Sequence, residues 1–143
     1  MGHRYAVTFF HCVFSTKQRV PEIPEPEKLW AYLHGIAENQ KIETVAIAGT
    51  KDHVHVLMVP PTTMAISEAV QKLKANSSRW IRGSSPWSGW QEGYGLFSVR
   101  PTAVPAVKSY IQNQKAHHQK NDSRSEFISM LRQAGVVINS DVS

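Results

Sequence analysis

The stretch from Asp52 to Pro60 constrains the fold of this chain more than any other part of the sequence. Its residues are mostly apolar or β-branched and two prolines end the run, so the pattern predicts a short strand. Side chains alternate between the faces of a strand, which places His53 and His55 on one face within roughly 7 Å of each other. Two imidazoles held side by side on a rigid strand can act as paired metal ligands. A His-x-His pair is equally often no more than two polar residues at the start of a strand.

Hydrophobic periodicity along the chain predicts the order strand, helix, strand, strand, helix, strand, helix. Around the histidine strand, the predicted ranges are strands at 4–14, 44–48 and 96–99 and helices at 26–39, 64–82 and 102–120. The linker 15–26 contains three prolines and is expected to be an extended loop. A short fourth helix near 127–131 is expected before a polar tail.

This order is typical of the ferredoxin-like α+β sandwich, the fold of RNA-recognition domains, in which split βαβ units form one antiparallel sheet. We expect helices on one face of the sheet and a further C-terminal helix that carries Tyr110. The first strand and the histidine strand are expected to be the central pair. The fold by itself determines no function.

The length and composition predict a single domain. A chain of 143 residues with 41% hydrophobic residues is ordinary for one globular unit, and we expect it to span 1–143, with its core at about 4–120 and a short helix and tail at 121–143. No apolar run approaches the roughly 20 residues that cross a bilayer, and no signal peptide is evident. The single Cys12 cannot form an intramolecular disulfide, which fits a reducing compartment. A cytoplasmic protein with no membrane partner is expected.

Positive charge is concentrated in the segment 69–120. It carries eight lysines and arginines against Glu92 alone, a net charge of +7, whereas the whole chain has a net charge of +5. A segment of one sign suits a polyanionic partner, with nucleic acid as the first candidate. The alternative is a solvated basic surface that keeps the protein soluble.

The last predicted core helix offers a third metal ligand. Tyr110, Gln114 and His117 follow one another at intervals of four and three residues, so they share one helix face beside the apolar stripe. We expect Tyr110 and Gln114 to lie over the open end of the histidine strand. A glutamine oxygen added to two imidazoles makes a mixed nitrogen and oxygen site, which suits Mg²⁺ or Mn²⁺. Taken alone, a tyrosine and a glutamine one turn apart are usually surface residues.

Five blocks of this sequence, in order, resemble the one-tyrosine HUH transposases of bacterial insertion sequences, including the repeat-associated tyrosine transposases. The blocks are HCVFSTKQR at 11–19, DHVH at 52–55, LKANSSRWI at 73–81, WQEGYGLFSV at 90–99 and YIQNQKAHH at 110–118. The resemblance implies a single HUH transposase domain that cuts and rejoins single-stranded DNA through a 5′-phosphotyrosine intermediate with the help of a divalent metal ion.

The resemblance also implies roles by position. His53 and His55 correspond to the HUH metal ligands, Gln114 to the third ligand and Tyr110 to the nucleophile. A phenol has a pKa near 10, well below that of an alcohol, so a phosphotyrosine bond stays exchangeable with a free 3′-hydroxyl. Two other histidines are weaker candidates for supporting these ligands from behind, His11 and His117.

Several further residues are candidates for contacts with DNA. The candidates for phosphate contacts are Lys17, Arg19, Lys72, Lys74, Ser77, Ser78, Arg79 and Arg82. Trp87 and Trp90 are candidates for stacking on unpaired bases, although core packing is the more common role of such aromatics. Single-stranded DNA and DNA hairpins are the expected partners.

The sequence is also compatible with two alternative functions. A domesticated HUH endonuclease that acts on repeat hairpins has the same residues. A non-catalytic ferredoxin-like nucleic-acid-binding module shares the fold, but RNA-recognition domains display stacking aromatics where this chain has His53 and His55. Because each chain has one nucleophile and a transposase holds two DNA ends, we expect a homodimer, in which Tyr110 serves the histidines of its own chain or of its partner.

Overall fold

The computed structural model describes residues 6–114 of the chain. The far end of the predicted helix 102–120, the predicted short helix near 127–131 and the candidate residue His117 lie outside the described residues.

Four strands form one sheet in which every neighbouring pair is antiparallel. The strands are β1 (Phe9–Ser15), β2 (Glu43–Gly49), β3 (His53–Val59) and β4 (Gly95–Val99), and the helices are α1 (Pro26–Asn39), α2 (Ile66–Arg82) and α3 (Val104–Gln112). The spatial order of the strands is β2-β3-β1-β4. The predicted α+β fold class is therefore confirmed, and β1 and β3 are the central pair as expected.

Helices α1 and α2 cover one face of this sheet. Their apolar residues recur at helical spacing and bury Leu29, Leu33 and Leu73 against the sheet residues that point to this side. These sheet residues are Cys12, Phe14, Val54, Val56 and Met58. Complete burial of one such side chain contributes about 1.5–3 kcal/mol, so this layer contains the main core.

Helix α3 covers part of the opposite face. Ile111 is fully buried against Leu57 of β3 and Ala46 of β2, and Val104 and Val107 pack beside it. The alternation of side chains along β3 sends Leu57 to the same face as the two histidines. The C-terminal helix is thereby placed over the histidine side of the sheet, away from α1 and α2.

Several details differ from the sequence prediction. Helix α2 begins at Ile66 and not at 64, and α3 spans Val104–Gln112, where a helix over 102–120 is predicted. Strand β1 begins at Phe9 because its partners end there: Phe9 lies opposite Val99, the last residue of β4, and Pro60 follows β3 without an N–H to donate. The linker predicted to be extended also contains a single turn of 3-10 helix at Lys17–Arg19. Within residues 6–114, no helix has the length and apolar character needed to span a membrane.

A close backbone approach at Gly49 fixes the hairpin between β2 and β3. A Cβ atom at this position would overlap the carbonyl oxygen of His53 and lie 2.8 Å from the Cα atom of Val54. We expect Gly49→Ala to lower the free energy of unfolding by about 2–4 kcal/mol, because two backbone segments have to separate. Denaturant titration followed by circular dichroism measures this change.

Gly35, inside α1, provides the matched control. Among residues 6–114, no atom from beyond the adjoining helix backbone lies within 4 Å of the place that a Cβ atom on Gly35 would occupy. Gly35→Ala is therefore expected to raise the free energy of unfolding by about 0.5–1 kcal/mol. Equal effects of the two substitutions would show that the hairpin accommodates a side chain at Gly49.

Candidate active site

The two histidines of β3 lie on one face of the sheet. His53 is opposite Ser15 and His55 is opposite Val13 in the register of the central strand pair. The ring centroids of the histidines are 5.0 Å apart, the rings are nearly perpendicular, and both side chains are almost wholly inaccessible to solvent. The sheet therefore holds two imidazoles as one rigid unit.

Helix α3 and the turn after it bring Tyr110 and Gln114 against this pair. The Oε1 atom of Gln114 lies 3.2 Å from Nε2 of His53, and the Gln114 amide nitrogen donates a hydrogen bond to the backbone oxygen of Tyr110. The Tyr110 ring stands edge-on to His55 with centroids 5.7 Å apart. The four residues singled out in the sequence thus meet in one cluster within a single chain.

The second ring nitrogen of His53 is held by Asp52 and Thr50. Nδ1 of His53 lies 2.6 Å from Oδ1 of Asp52 and 2.9 Å from Oγ1 of Thr50, whose hydroxyl donates to the same carboxylate oxygen. A carboxylate behind an imidazole keeps the proton on the near nitrogen and directs the lone pair of the far nitrogen outward. Sequence reasoning assigned no role to these two residues, although an acidic residue directly before the first histidine was the available signal.

His11 supports His55 from the neighbouring strand β1. Nε2 of His11 lies 2.8 Å from Nδ1 of His55, and both residues are buried. Burial lowers the pKa of His11 to about 4. Burial, followed by the proximity of His11 and His53, lowers the pKa of His55 well below its usual value. Both His11 and His55 are therefore neutral at physiological pH, the form in which imidazole binds metals.

The donor set of this cluster fits a divalent cation. The three outward-facing atoms are Nε2 of His53, Nε2 of His55 and Oε1 of Gln114, and Nε2 of His55 is buried without a hydrogen-bond partner among the described residues. The 3.2 Å between His53 and Gln114 is close to the separation of about 3.0 Å between adjacent ligands of an octahedral ion with bonds of about 2.1 Å. Among residues 6–114, no three His, Cys, Asp or Glu side chains cluster in a way that could hold a metal ion.

Two of the residues predicted to contact DNA, Trp90 and Ser77, are buried in the structure. Trp90 is buried edge-on against Phe14, and its indole N–H donates to the hydroxyl of Ser77 at 3.0 Å. Ser77 is completely buried and donates in turn to the backbone oxygen of Leu73 at 2.6 Å. Both residues pack in the core between α2 and the sheet and are almost inaccessible to solvent.

Lys74 has a structural role that the sequence did not indicate. Its ammonium group donates to the backbone oxygens of Gln91 and Gly93, at 2.8 and 3.0 Å, and burial lowers its pKa. Lys74 therefore ties the segment before β4 to α2. Lys72 similarly donates to Oε1 of Gln40 at 2.9 Å, across the helix pair.

The remaining predicted contacts lie on or near the surface. Lys17, Arg79 and Arg82 are exposed, Arg19 is half-buried, and Trp87 donates to the hydroxyl of Ser78 at 2.9 Å with both residues half-buried. Lys17 and Arg82 approach the same glycine: a Cβ atom on Gly89 would lie 3.7 Å from Nη2 of Arg82 and from Cε of Lys17. Two cations from different elements thus meet beside the turn at Gly89.

Comparison with protein families and curated proteins gives two matches. The family described as IS200-like transposase matches residues 5–114 of the chain. The ISDra2 transposase TnpA of Deinococcus radiodurans is 26% identical over 125 residues, which covers 79% of this chain and 87% of that protein.

The solved structures that resemble this fold include two transposases. A crystal structure at 1.90 Å of a candidate transposase from Deinococcus radiodurans R1 superposes with a TM-score of 0.63 and 26% identity, covering 80% of this chain and 96% of that one. A repeat-associated (REP) tyrosine transposase bound to a REP hairpin superposes with a TM-score of 0.61 and 14% identity, covering 100% of this chain and 93% of that one. The second similarity concerns the fold alone.

The buried histidines predict a stability that falls in acid. Between about pH 6.5 and pH 4 an unfolded His11 binds a proton that the folded one excludes, so the free energy of unfolding falls as the pH falls through this window. The slope is on the order of 1.4 kcal/mol per pH unit. We expect metal-free His11→Gln protein to lose less stability than the unmodified protein between pH 7 and pH 5 in denaturant titrations. Parallel losses in the two proteins would contradict the burial of a neutral His11.

Proposed function

The chain belongs to the IS200-like transposase family, and we propose that it is a metal-assisted tyrosine transposase that cuts and rejoins single-stranded DNA. The observation that carries this proposal is the meeting of one tyrosine with two imidazoles and one amide oxygen: Tyr110 stands edge-on to His55, and Gln114 reaches His53. A nucleophile beside a divalent-cation site is an arrangement that suits phosphoryl transfer.

In the proposed reaction His53, His55 and Gln114 hold one divalent ion, Mg²⁺ or Mn²⁺. When bound, such an ion polarises the scissile phosphate and offsets the negative charge that develops in the transition state. The phenol oxygen of Tyr110 attacks the phosphorus and loses its proton to solvent. The bond from phosphorus to the 3′ oxygen breaks, and that oxygen leaves as a hydroxyl group after it takes up a proton.

The product is a 5′-phosphotyrosine on one DNA segment and a free 3′-hydroxyl on the other. The phenol is a good leaving group, since its pKa is near 10, so a 3′-hydroxyl from a second DNA end can attack the phosphotyrosine and release Tyr110. The number of phosphodiester bonds is unchanged, and the exchange therefore requires no nucleotide cofactor.

The charge of the chain supports DNA as the substrate. The segment 69–120 carries a net charge of +7, and Arg79 and Arg82 expose their side chains on α2. Lys17 follows the end of β1, where Ser15 lies opposite His53, so one exposed cation belongs to the same end of the sheet as the first ligand. Hairpins are included in the proposal because the repeat-associated transposase with a similar fold is bound to one.

Formation of a covalent adduct tests the proposal. We expect protein incubated with Mn²⁺ and labelled single-stranded DNA to form an adduct that survives denaturing electrophoresis, and Tyr110→Phe to abolish it while DNA affinity changes less than about two-fold. Tyr94→Phe removes the hydroxyl of an exposed tyrosine and is the matched control, with adduct levels unchanged. An adduct formed by the Tyr110→Phe protein would exclude Tyr110 as the nucleophile.

Substitution of the ligands and a strand-joining assay complete this test. His53→Ala and His55→Ala are expected to abolish the adduct, and Gln114→Ala to weaken it less, because one neutral ligand is lost. Transfer of the attached DNA to a second 3′-end distinguishes a transposase from an endonuclease that only cuts repeat hairpins. A protein that binds DNA without any adduct would be a binding module.

We propose a homodimer as the working assembly, because two DNA ends require two tyrosines and each chain supplies one Tyr110. Mixing Tyr110→Phe protein with a His53→Ala, His55→Ala double variant tests whether sites are shared between chains. Shared sites give hybrid dimers with one intact site, and up to about a quarter of the unmodified activity returns if half of the dimers are hybrids. No recovery, with subunit exchange demonstrated by a tag on one variant, would mean that each chain serves its own histidines.

A further inference from the structure

The proposed chemistry leaves one buried side chain without a role. His11 reaches His55 from a diagonal position on the neighbouring strand, since the register pairs His11 with Leu57 and His55 with Val13. Its Nε2 atom lies 2.8 Å from Nδ1 of His55, and the exposed fractions of the two residues are 5% and 1%. Burial at this depth shields the contact between the two rings from bulk solvent.

A single proton lies between these two nitrogens, because at 2.8 Å two N–H groups would collide and two lone pairs would repel each other. If it belongs to Nδ1 of His55, that atom donates to His11, and Nε2 of His55 carries a lone pair. If it belongs to Nε2 of His11, the direction reverses, and Nε2 of His55 carries the N–H. The two arrangements differ in what His55 presents to the metal-binding side.

The surroundings of His55 choose between the two arrangements. Its Nε2 atom is buried and has no hydrogen-bond partner among the described residues. The Gln114 side chain lies close to the ring but forms no hydrogen bond of good geometry with this atom, so an N–H there would be a poorly satisfied buried donor. A lone pair there is an under-satisfied acceptor, which folded proteins tolerate better. The lack of a well-formed hydrogen bond at Nε2 of His55 therefore favours the arrangement with the proton on Nδ1.

We propose that His11 is a positioning residue that holds His55 in the tautomer with its proton on Nδ1, so that the Nε2 lone pair faces the proposed metal site. The inference rests on the proposed function for the identity of the ligands. Asp52 acts in the same way on His53, whose Nδ1 lies 2.6 Å from the carboxylate. The two ligands are thus oriented by two acceptors of different kinds, one carboxylate and one imidazole.

The two acceptors, Asp52 and His11, lie in surroundings that suit their different charges. The Asp52 side chain is 17% exposed, so its charge keeps contact with solvent. His11 is enclosed between His55, Phe97 and Tyr110, with ring centroids at 5.0, 6.1 and 6.5 Å. A carboxylate in that place would be a buried charge surrounded mainly by rings, which is costly, whereas an imidazole accepts the same hydrogen bond without any charge.

Two variants separate the hydrogen bond from the packing. His11→Gln places an amide oxygen near the position of Nε2 and still accepts from His55. His11→Leu has a similar volume and accepts nothing. Nitrogen-15 NMR of metal-free, histidine-labelled protein reads the tautomer of His55 directly. We expect the Nδ1–H form in the unmodified protein and in His11→Gln, and a loss of that form in His11→Leu.

Mn²⁺ affinity, measured by electron paramagnetic resonance without DNA, is the second readout. We expect His11→Leu to bind about 10–100-fold more weakly and His11→Gln to stay within about three-fold of the unmodified protein. Equal affinity of His11→Leu, or equal loss in both variants, would overturn the proposal, as would the Nε2–H tautomer of His55 in the unmodified protein. Because the tautomer is measured on the unmodified protein, this test does not depend on whether a variant folds. Unmodified protein that shows the Nδ1–H tautomer but binds no Mn²⁺ would refute the metal-assisted function and leave the role of His11 supported.

Discussion

The burial of β3 on both faces is the constraint on which the rest of the structure depends. Val54 and Val56 point toward α1 and α2, whereas His53 and His55 point toward α3, and all four are at most 2% exposed. The pleat of the strand allows no intermediate position, so a slip of one residue would exchange histidines for valines. Gly49 lies opposite Val54 and permits the close backbone contact that this register makes in the β2–β3 hairpin.

Burial of the histidines forces the structure to supply their polar partners. Removing an imidazole from water is costly unless polar groups lie against its nitrogens, and three elements provide these groups: the turn before β3, strand β1 and the residues just after α3. They contribute Asp52, His11 and Gln114 in that order. Gln114 follows α3, the helix that carries Tyr110, so the packing that brings Gln114 to the histidines also brings the proposed nucleophile to them.

Local patterns in the sequence contain part of this arrangement. Alternation along a strand predicts the shared face of His53 and His55, and helical spacing predicts the shared face of Tyr110 and Gln114. The contact of His11 with His55 depends on the register between strands separated by 37 residues of chain, which no local pattern encodes. Ser77 lies in the apolar stripe of α2, so its burial was predictable, but Trp90 stands in a loop without periodicity and only the tertiary contact reveals its role.

None of the proposed metal ligands is a carboxylate, and this has a consequence for the binding of DNA. Two imidazoles and an amide leave the whole charge of a divalent ion available, since the carboxylate of Asp52 contacts Nδ1 of His53, the ring nitrogen away from Gln114. A carboxylate ligand would hold the ion more tightly and would also cancel part of the charge that attracts a phosphate. Under the proposed function the DNA phosphate is the anion that completes the neutralisation. Ion and DNA then bind better together than either does alone, which couples formation of the catalytic site to the presence of substrate.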